Sequence, residues 1–356
     1  MCTPENPCYT EEQLEQLAAT FDLALPSDRE IHSSIFTEPV TPEEGATPPA
    51  YEAEHYNVTD EESGEGTRRR STDGDGGRKR NLVFPPAPEP LPHPIIDNHT
   101  HMDLLDGEVA ISVKDALDTG AALGIESVVQ VGCDVPSSIY AVKVASSEPR
   151  VLAAVALHPN EAPKLEATGQ LEKALAAIDA LAAHPRVRAV GETGLDFFRT
   201  RADGIDAQER SFREHIRIAK KYGKALQIHD RDAHDDVVRI LLDEGAPEKV
   251  VFHCYSGDAS LAERCNDNGW YMSFAGTVTF KNSHGIQESL KIAREDLILA
   301  ETDAPFLTPH PYRGRPNASY MVNYTVRFMA QHRGDDLAAL CAKIHENTQA
   351  VYGTWQ

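Results

Sequence analysis

Between residues 95 and 300 the sequence repeats one pattern eight times, a short run of apolar residues followed by a stretch long enough for a helix. The runs are Ile95-Ile96, Ser127 to Val131, Val151 to Leu157, Val187 to Val190, Ala225 to Ile228, Val250 to Phe252, Tyr271 to Phe274 and Leu297 to Ala300. They are too short and too continuously apolar for half-solvated antiparallel strands, and they fit parallel strands covered on both faces. Between them, Leu171 to Ala183 is rich in Ala and Leu and predicts a helix. Asp206, followed by Glu209 at the third position, predicts an N-cap. Phe212, Ile216 and Ala219 then form one stripe, and Gly223 ends that helix. Leu261 to Gly269 and Ile286 to Arg294 fill the later gaps. Eight strand-helix units in about 260 residues predict an α/β fold, a (β/α)8 TIM barrel. A doubly wound open sheet would call for a glycine-rich phosphate loop after the first strand. Here His99-Thr100-His101 follows instead.

The chain has 356 residues and a formal net charge of -22, unevenly spread. Residues 1–90 hold 19 Asp or Glu against 7 Arg or Lys. Residues 41–90 are rich in Pro, Gly, Glu and Ser and lack apolar periodicity, so 1–90 is expected to be a largely disordered acidic N-terminal extension and 91–356 the barrel. Glu11 to Leu25 predicts a short helix, with Leu14, Leu17 and Phe21 on one side. Arg68-Arg69-Arg70 and Arg78-Lys79-Arg80 suggest a contact for nucleic acid or an unknown partner. Against that, Glu61, Glu62, Glu65, Asp73 and Asp75 dilute their field, and a solvated tail is expected. Residues 85–90 read as an extended spacer. The overall acidity opposes non-specific, high-affinity DNA binding. It leaves room for an enzyme that engages one strand end through metals and a few cations. No apolar stretch is long enough to span a membrane. The first residues are neither basic nor followed by an apolar run. The six cysteines include no Cys-x-x-Cys pair. Together these predict a cytoplasmic setting without membrane contact.

Metal-ligand residues stand at the ends of the apolar runs. His99 and His101 flank one residue, so an extended backbone turns both imidazoles the same way. Glu192 lies between Gly191 and Gly194, and a carboxylate there is costly to bury unless paired or metal-bound. His229 ends Leu226-Gln227-Ile228, His253 ends Val250-Val251-Phe252, and Asp303 follows Ile298-Leu299-Ala300. Singly, each has a bland reading as a surface histidine, a capping carboxylate or a satisfied core imidazole. In a barrel all of them reach the same C-terminal rim. Four histidines, one glutamate and one aspartate suffice for two divalent ions. Mixed nitrogen and oxygen ligands favour Zn2+, Mn2+, Fe2+ or Co2+, with Mg2+ less natural.

The sequence resembles the TatD family of metal-dependent deoxyribonucleases, within the amidohydrolase-type barrels, over residues 94–356. The matching motifs are Asp97-Asn98-His99-Thr100-His101-Met102-Asp103, Leu157-His158-Pro159, Gly191-Glu192-Thr193-Gly194-Leu195-Asp196, His229-Asp230-Arg231, His253-Cys254-Tyr255-Ser256-Gly257 and Glu301-Thr302-Asp303-Ala304-Pro305. The resemblance implies that His99, His101, Glu192 and Asp303 hold one metal, and that Glu192, His229 and His253 hold the second. It implies that His158 approaches substrate phosphate, with Arg231, Tyr255 and Arg313 assisting. Its implied activity is a 3′–5′ exonuclease on single-stranded DNA. From the ligand-rich rim, Asp303 is expected to orient the attacking water and take its proton. The alternative is hydrolysis of a small amide, lactone or phosphoester. Many such enzymes use a carbamylated lysine at a middle strand, and no lysine ends the fourth to sixth runs. A non-catalytic scaffold would not need the intact ligand set. One departure stands out, because Arg315-Pro316-Asn317-Ala318-Ser319 replaces the family's Arg-Asn-Glu-Pro. That puts loop anchoring or substrate preference in question.

Overall fold

A computed structural model describes residues 16, 58–63, 67–70, 79–109, 111–200 and 202–355. The helix expected over Glu11 to Leu25 lies outside the described residues except for Gln16, as do Cys2 and Cys8 and most of the segment expected to be disordered.

All eight expected strands are present. A two-stranded hairpin, β1 (Val58–Ser63) and β2 (Thr67–Arg70), precedes β3 (Ile95–Thr100) and the short β4 (Leu104–Leu105). The barrel continues with β5 (Ile125–Val131), β6 (Val151–Val155), β7 (Val187–Asp196), β8 (Ala225–Arg231), β9 (Val250–Phe252), β10 (Tyr271–Phe274) and β11 (Ile298–Ala300). β3 and β5 to β11 form one eight-stranded sheet in sequence order, and every neighbouring pair that is bonded in it is parallel. The seam between its first and last strands is stitched just beyond β11. There the Asp303 N–H donates to the His99 carbonyl (2.9 Å) and the His101 N–H to the Ala304 carbonyl (2.8 Å).

The connecting helices are α1 (Val113–Ala122), α2 (Val135–Ser147), α3 (Ala162–Ala167), α4 (Leu171–Ala182), α5 (Ile205–Tyr222), α6 (His234–Glu244), α7 (Ala259–Asn268), α8 (His284–Ile292), α9 (Val322–Arg333) and α10 (Leu337–Tyr352). α5 does not start as expected. Gly204 is its cap, no side chain caps it, and Asp206 lies within the first turn, where its charge complements the helix dipole. Its end is as expected, with Gly223 left-handed at φ 62°.

The barrel interior is filled by Val129, Val131, Leu152, Ala154, Ala189, Ala225, Val251 and Leu299, mixing small and branched side chains. Val351 and Tyr352 of α10 join this cluster. The Tyr352 hydroxyl accepts from Gln227 Nε2 (2.7 Å) and donates to Asn98 Oδ1 (3.1 Å). A larger apolar shell, including Ile139, Leu181, Phe212, Ile240 and Ile344, is also fully buried.

The basic runs are not free in solution where they are described. β2 pairs parallel with β4, matching Arg68 to Leu104 and Arg69 to Leu105. Asp106 is almost fully buried, and a carboxylate there needs a counter-charge. Arg80 supplies it with two bonds (2.9 and 2.6 Å), and Arg70 stands 3.5 Å away. Arg70 also donates to the Pro305 carbonyl (2.8 Å). Residues 83–89 are likewise held against the barrel. Arg315 bonds the carbonyls of Val83 and Phe84, and Tyr320 and Tyr324 bond those of Pro85 and Pro86. Proline-rich backbone lacks donors, so its carbonyls are met by side chains of the barrel.

Candidate metal centre

His99 and His101 are placed by β3 and the residue beyond it. The register of β3 against β5 shifts between Asp97 and Thr100, a bulge that lies under His99. The expected common facing holds, with the two Nε2 atoms 3.2 Å apart. Asp303 reaches the same point across the barrel seam. Its Oδ1 lies 3.3 Å from His101 Nε2 and 3.8 Å from His99 Nε2. Its φ of 54° is left-handed, an unfavourable conformation for a non-glycine residue that is held here by the seam bonds on both sides. Glu192 Oε2 completes the group at 3.7 and 3.9 Å from the two imidazoles. Ligand bonds of about 2.0–2.2 Å at tetrahedral or octahedral angles separate ligand atoms by roughly 2.8–3.6 Å. The four atoms therefore stand close to the spacing one ion needs.

Glu192 does not follow its strand, as the sequence suggested, but lies inside the ten-residue β7. Between the pairs Val190–Leu226 and Thr193–Ile228, Gly191 and Glu192 of β7 oppose the single Gln227 of β8, so Glu192 sits in a bulge that re-aims its side chain. The neighbouring glycines permit the close approach this requires. A Cβ at Gly194, which has φ of 140°, would lie 2.0 Å from the His229 carbonyl oxygen. A Cβ at Gly191 would lie 2.4 Å from Gln227 Cβ.

The second carboxylate oxygen, Oε1, meets His229 Nδ1 at 2.7 Å, His253 Nε2 at 3.0 Å and His158 Nε2 at 3.5 Å. Among the described residues four trios have mutually close ligand atoms: His99, His101 and Asp303; His99, Glu192 and His253; His101, Cys133 and Glu192; and His158, Glu192 and His229. His229 and His253 meet the same oxygen, but their ring centroids are 6.1 Å apart, whereas His253 stacks on His99 at 3.7 Å.

Groups behind these side chains set their tautomers. His101 Nδ1 faces the Val131 carbonyl (3.0 Å), so its Nε2 is left as the ligand atom. His253 Nδ1 faces Glu301 Oε1 (2.8 Å), which also accepts the Cys254 N–H (2.8 Å). Glu301 is fully buried, and its other oxygen has no hydrogen-bond partner among the described residues. Asp196 accepts from His229 Nε2 (3.3 Å) and Asn160 (3.1 Å). Asp97 holds the Thr302 N–H and hydroxyl (2.9 and 2.6 Å), fixing the turn before Asp303. Burial pushes Asp97 up to about 7 despite those bonds.

The electrostatics fit a cation site. Burial raises Glu192, but the imidazoles of His253 and His158 more than offset it and hold the carboxyl well below its usual range. Asp303 is likewise raised by burial and lowered overall by its bond to His101 and by the nearby histidines. Burial opposes charge on His101 and His229, yet their carboxylate partners lift both to about 9. His158 is lowered, chiefly by burial.

Several residues here had no assigned role in the sequence. Glu301 and Asp196 lay within quoted motifs, and an acidic residue ending an apolar run was the available signal. Cys133, whose thiol donates to Glu192 Oε2 (3.5 Å), carried no signal at all. Tyr255 is buried and spends its hydroxyl on the Asp258 carbonyl (2.8 Å), so its role is structural rather than substrate-facing. Arg231 lies over the Phe198 ring (3.9 Å) and Arg313 over the Phe280 ring (4.6 Å). The departing loop is anchored by Asn317, which donates to the Thr302 carbonyl (3.0 Å) and to the Phe306 carbonyl.

Comparison with known proteins agrees with this geometry. The family profile described as TatD related DNase matches residues 96–353. The chain is 40% identical over 266 residues to the uncharacterized metal-dependent hydrolase TatD of Mycobacterium tuberculosis, covering 73% of this chain and 98% of that one. It is 34% identical to the uncharacterized metal-dependent hydrolase YabD of Bacillus subtilis, covering 72% and 98%. The fold matches the crystal structure of YJJV, a TatD homolog from Escherichia coli K12, with a TM-score of 0.65, 22% identity and coverage of 73% and 98%. Beside a buried imidazole and carboxylate cluster able to bind metal at a barrel rim, these matches show that the chain belongs to the TatD family and is a metal-dependent hydrolase.

Proposed function

We propose that the chain hydrolyses phosphodiester bonds as a 3′–5′ exodeoxyribonuclease on single-stranded DNA, with two divalent ions at the rim. The observation that carries this reading is the convergence of four histidines, His99, His101, His229 and His253, on one carboxylate, Glu192, with Asp303 beside His99 and His101. His99, His101, Glu192 and Asp303 would hold one ion, and Glu192, His229 and His253 the other. Zn2+, Mn2+, Co2+, Fe2+ and Mg2+ are the candidates, in keeping with the nitrogen-rich donor set. Such ions supply an acidified water and offset charge on phosphate oxygens.

The chain's own groups do the rest. Asp303 stays ionised, and its Oδ1 faces the cluster, so it can orient water and accept a proton. His158 Nδ1 accepts the Asn160 N–H (3.1 Å), so the neutral ring carries its proton on Nε2. That N–H points toward Glu192 and is available to a phosphate oxygen. His158 and His229 are the most exposed of these side chains, at 17% and 11%, which puts the approach on their side.

The test is Asp303→Asn, assayed on a 3′-hydroxyl, 5′-labelled single strand. Turnover is expected to fall by about 10²–10⁴ while the melting profile is retained. Full turnover in that variant would sink the assignment. A wild-type enzyme that ignores the strand and opens cyclic amides would replace the nuclease reading with the small-substrate one.

A further inference from the structure

We infer that Phe198, backed by Arg231, is a stacking platform for an unpaired nucleobase next to the metal centre. The inference deepens the nuclease reading and rests on it for the identity of the ligand.

Among the described residues, Phe198 is the one aromatic side chain counted as an exposed large hydrophobic, at 48%. It occupies the turn directly after β7, at the barrel rim. The Arg231 guanidinium lies 3.9 Å from its ring centroid, so exposure falls on the opposite face and the edge. A ring with one face covered by a cation and the other open is arranged to sandwich a planar group.

The platform is fixed with respect to the metal-binding cluster. Asp196, which meets His229 at 3.3 Å, also accepts the Arg199 N–H (2.8 Å), and the Asp196 carbonyl accepts the Thr200 N–H (3.2 Å). On the other side of Phe198, the Phe197 N–H donates to the Arg231 carbonyl (2.9 Å). Gln208 closes the turn through the Asp196 N–H (3.0 Å) and the Thr200 hydroxyl (2.5 Å). One carboxylate thus pins both a candidate ligand and the turn that presents the ring.

Space is available beside it. A groove of about 390 Å³, lined by Asn160, Lys164, Arg199, Thr200 and Asp203 among others, borders the same turn. Its Asn160 wall bonds Asp196 (3.1 Å), so groove and metal-binding cluster are neighbours. A base on Phe198 would lie on the turn that borders that groove and that Asp196 ties to His229. Bases within a duplex already have stacking partners, so the platform selects unpaired strands.

The experiment compares a single strand with natural 3′-terminal bases against one whose terminal residues are abasic, in the wild type and in Phe198→Ala. The wild type is expected to show a higher KM on the abasic strand, by roughly five- to hundredfold, and Phe198→Ala to lose that discrimination with kcat little changed. A non-turnover readout uses metal-free protein and a strand carrying 2-aminopurine at the 3′ end. Its fluorescence should be quenched on binding to the wild type and not to Phe198→Ala. Phe198→Leu keeps apolar bulk without the ring and should behave like the alanine variant. If Phe198→Ala weakens both strands by the same factor, or neither, the platform is refuted while strand cleavage by the wild type keeps the nuclease reading. If the wild type cleaves no strand yet quenches 2-aminopurine through Phe198, the nuclease reading fails and the base site stands.

Discussion

Replacing Glu301 with Gln tests whether the carboxylate behind His253 tunes the metal centre or only fills space. Glu301 is fully buried, and its Oε1 accepts both the His253 ring N–H and the Cys254 N–H at 2.8 Å. Glutamine has nearly the same shape and can keep those two bonds through its carbonyl. Its amide, however, would occupy the position of Oε2, which has no partner among the described residues. A buried donor left unpaired costs about 1–3 kcal/mol, and that loss should appear in the metal-free protein. The substitution also removes the charge that makes His253 a strong ligand. Burial opposes protonation of His253, and Glu301 is the first of the charges that raise it well above the ordinary range. Loss of such a supporting carboxylate typically weakens metal binding 10–100-fold, or about 1.4–2.7 kcal/mol. Metal binding adds to stability through mass action, so the metal-loaded protein should lose about 2–6 kcal/mol in all. Urea unfolding with and without saturating Mn2+, alongside calorimetric Mn2+ titration, separates the two contributions. An unchanged Mn2+ affinity, with the same stability loss in both states, would refute the reasoning and leave Glu301 as a structural acceptor.

Gly194→Ala should destabilise the barrel by about 2–6 kcal/mol, combining left-handed strain with overpacking, because its Cβ would lie 2.0 Å from the His229 carbonyl oxygen. Circular dichroism melting and metal content report the result, and a well-folded, metal-replete variant would contradict it. Metal affinity should rise with pH up to about 9, because His101 and His229 are each held near that value and must lose a proton to coordinate. The metal-free protein should show the opposite trend in stability. The contribution of these raised histidines is complete below about pH 6.5 and is lost as pH climbs through 9. Titrations in buffers of different ionisation enthalpy count the protons released, and finding none would overturn the assignment. Asp106→Asn should cost about 3–5 kcal/mol in urea unfolding, since it leaves the buried guanidinium of Arg80 without its counter-charge.

The apolar runs alone specify the barrel and the inventory of its rim. Parallel strands buried on both faces need continuous apolar runs, and the run ends mark one rim wherever the crossover helices fall. His99, His101, Glu192, His229, His253 and Asp303 were legible for that reason. How they meet depends on contacts between strands. Bulges in β3 and β7 are set by pairing between neighbouring strands, which no single run reveals, and they bring His99 and Glu192 into the centre. The support of His253 by Glu301 joins residues 48 apart across three strands, and the fixing of Thr302 by Asp97 spans 205. The extension shows the same limit. Composition marked Arg70 and Arg80 as solvated, yet the buried charge of Asp106 draws both onto the barrel. Composition averages over a segment, whereas a desolvated carboxylate acts on the particular cation that can reach it.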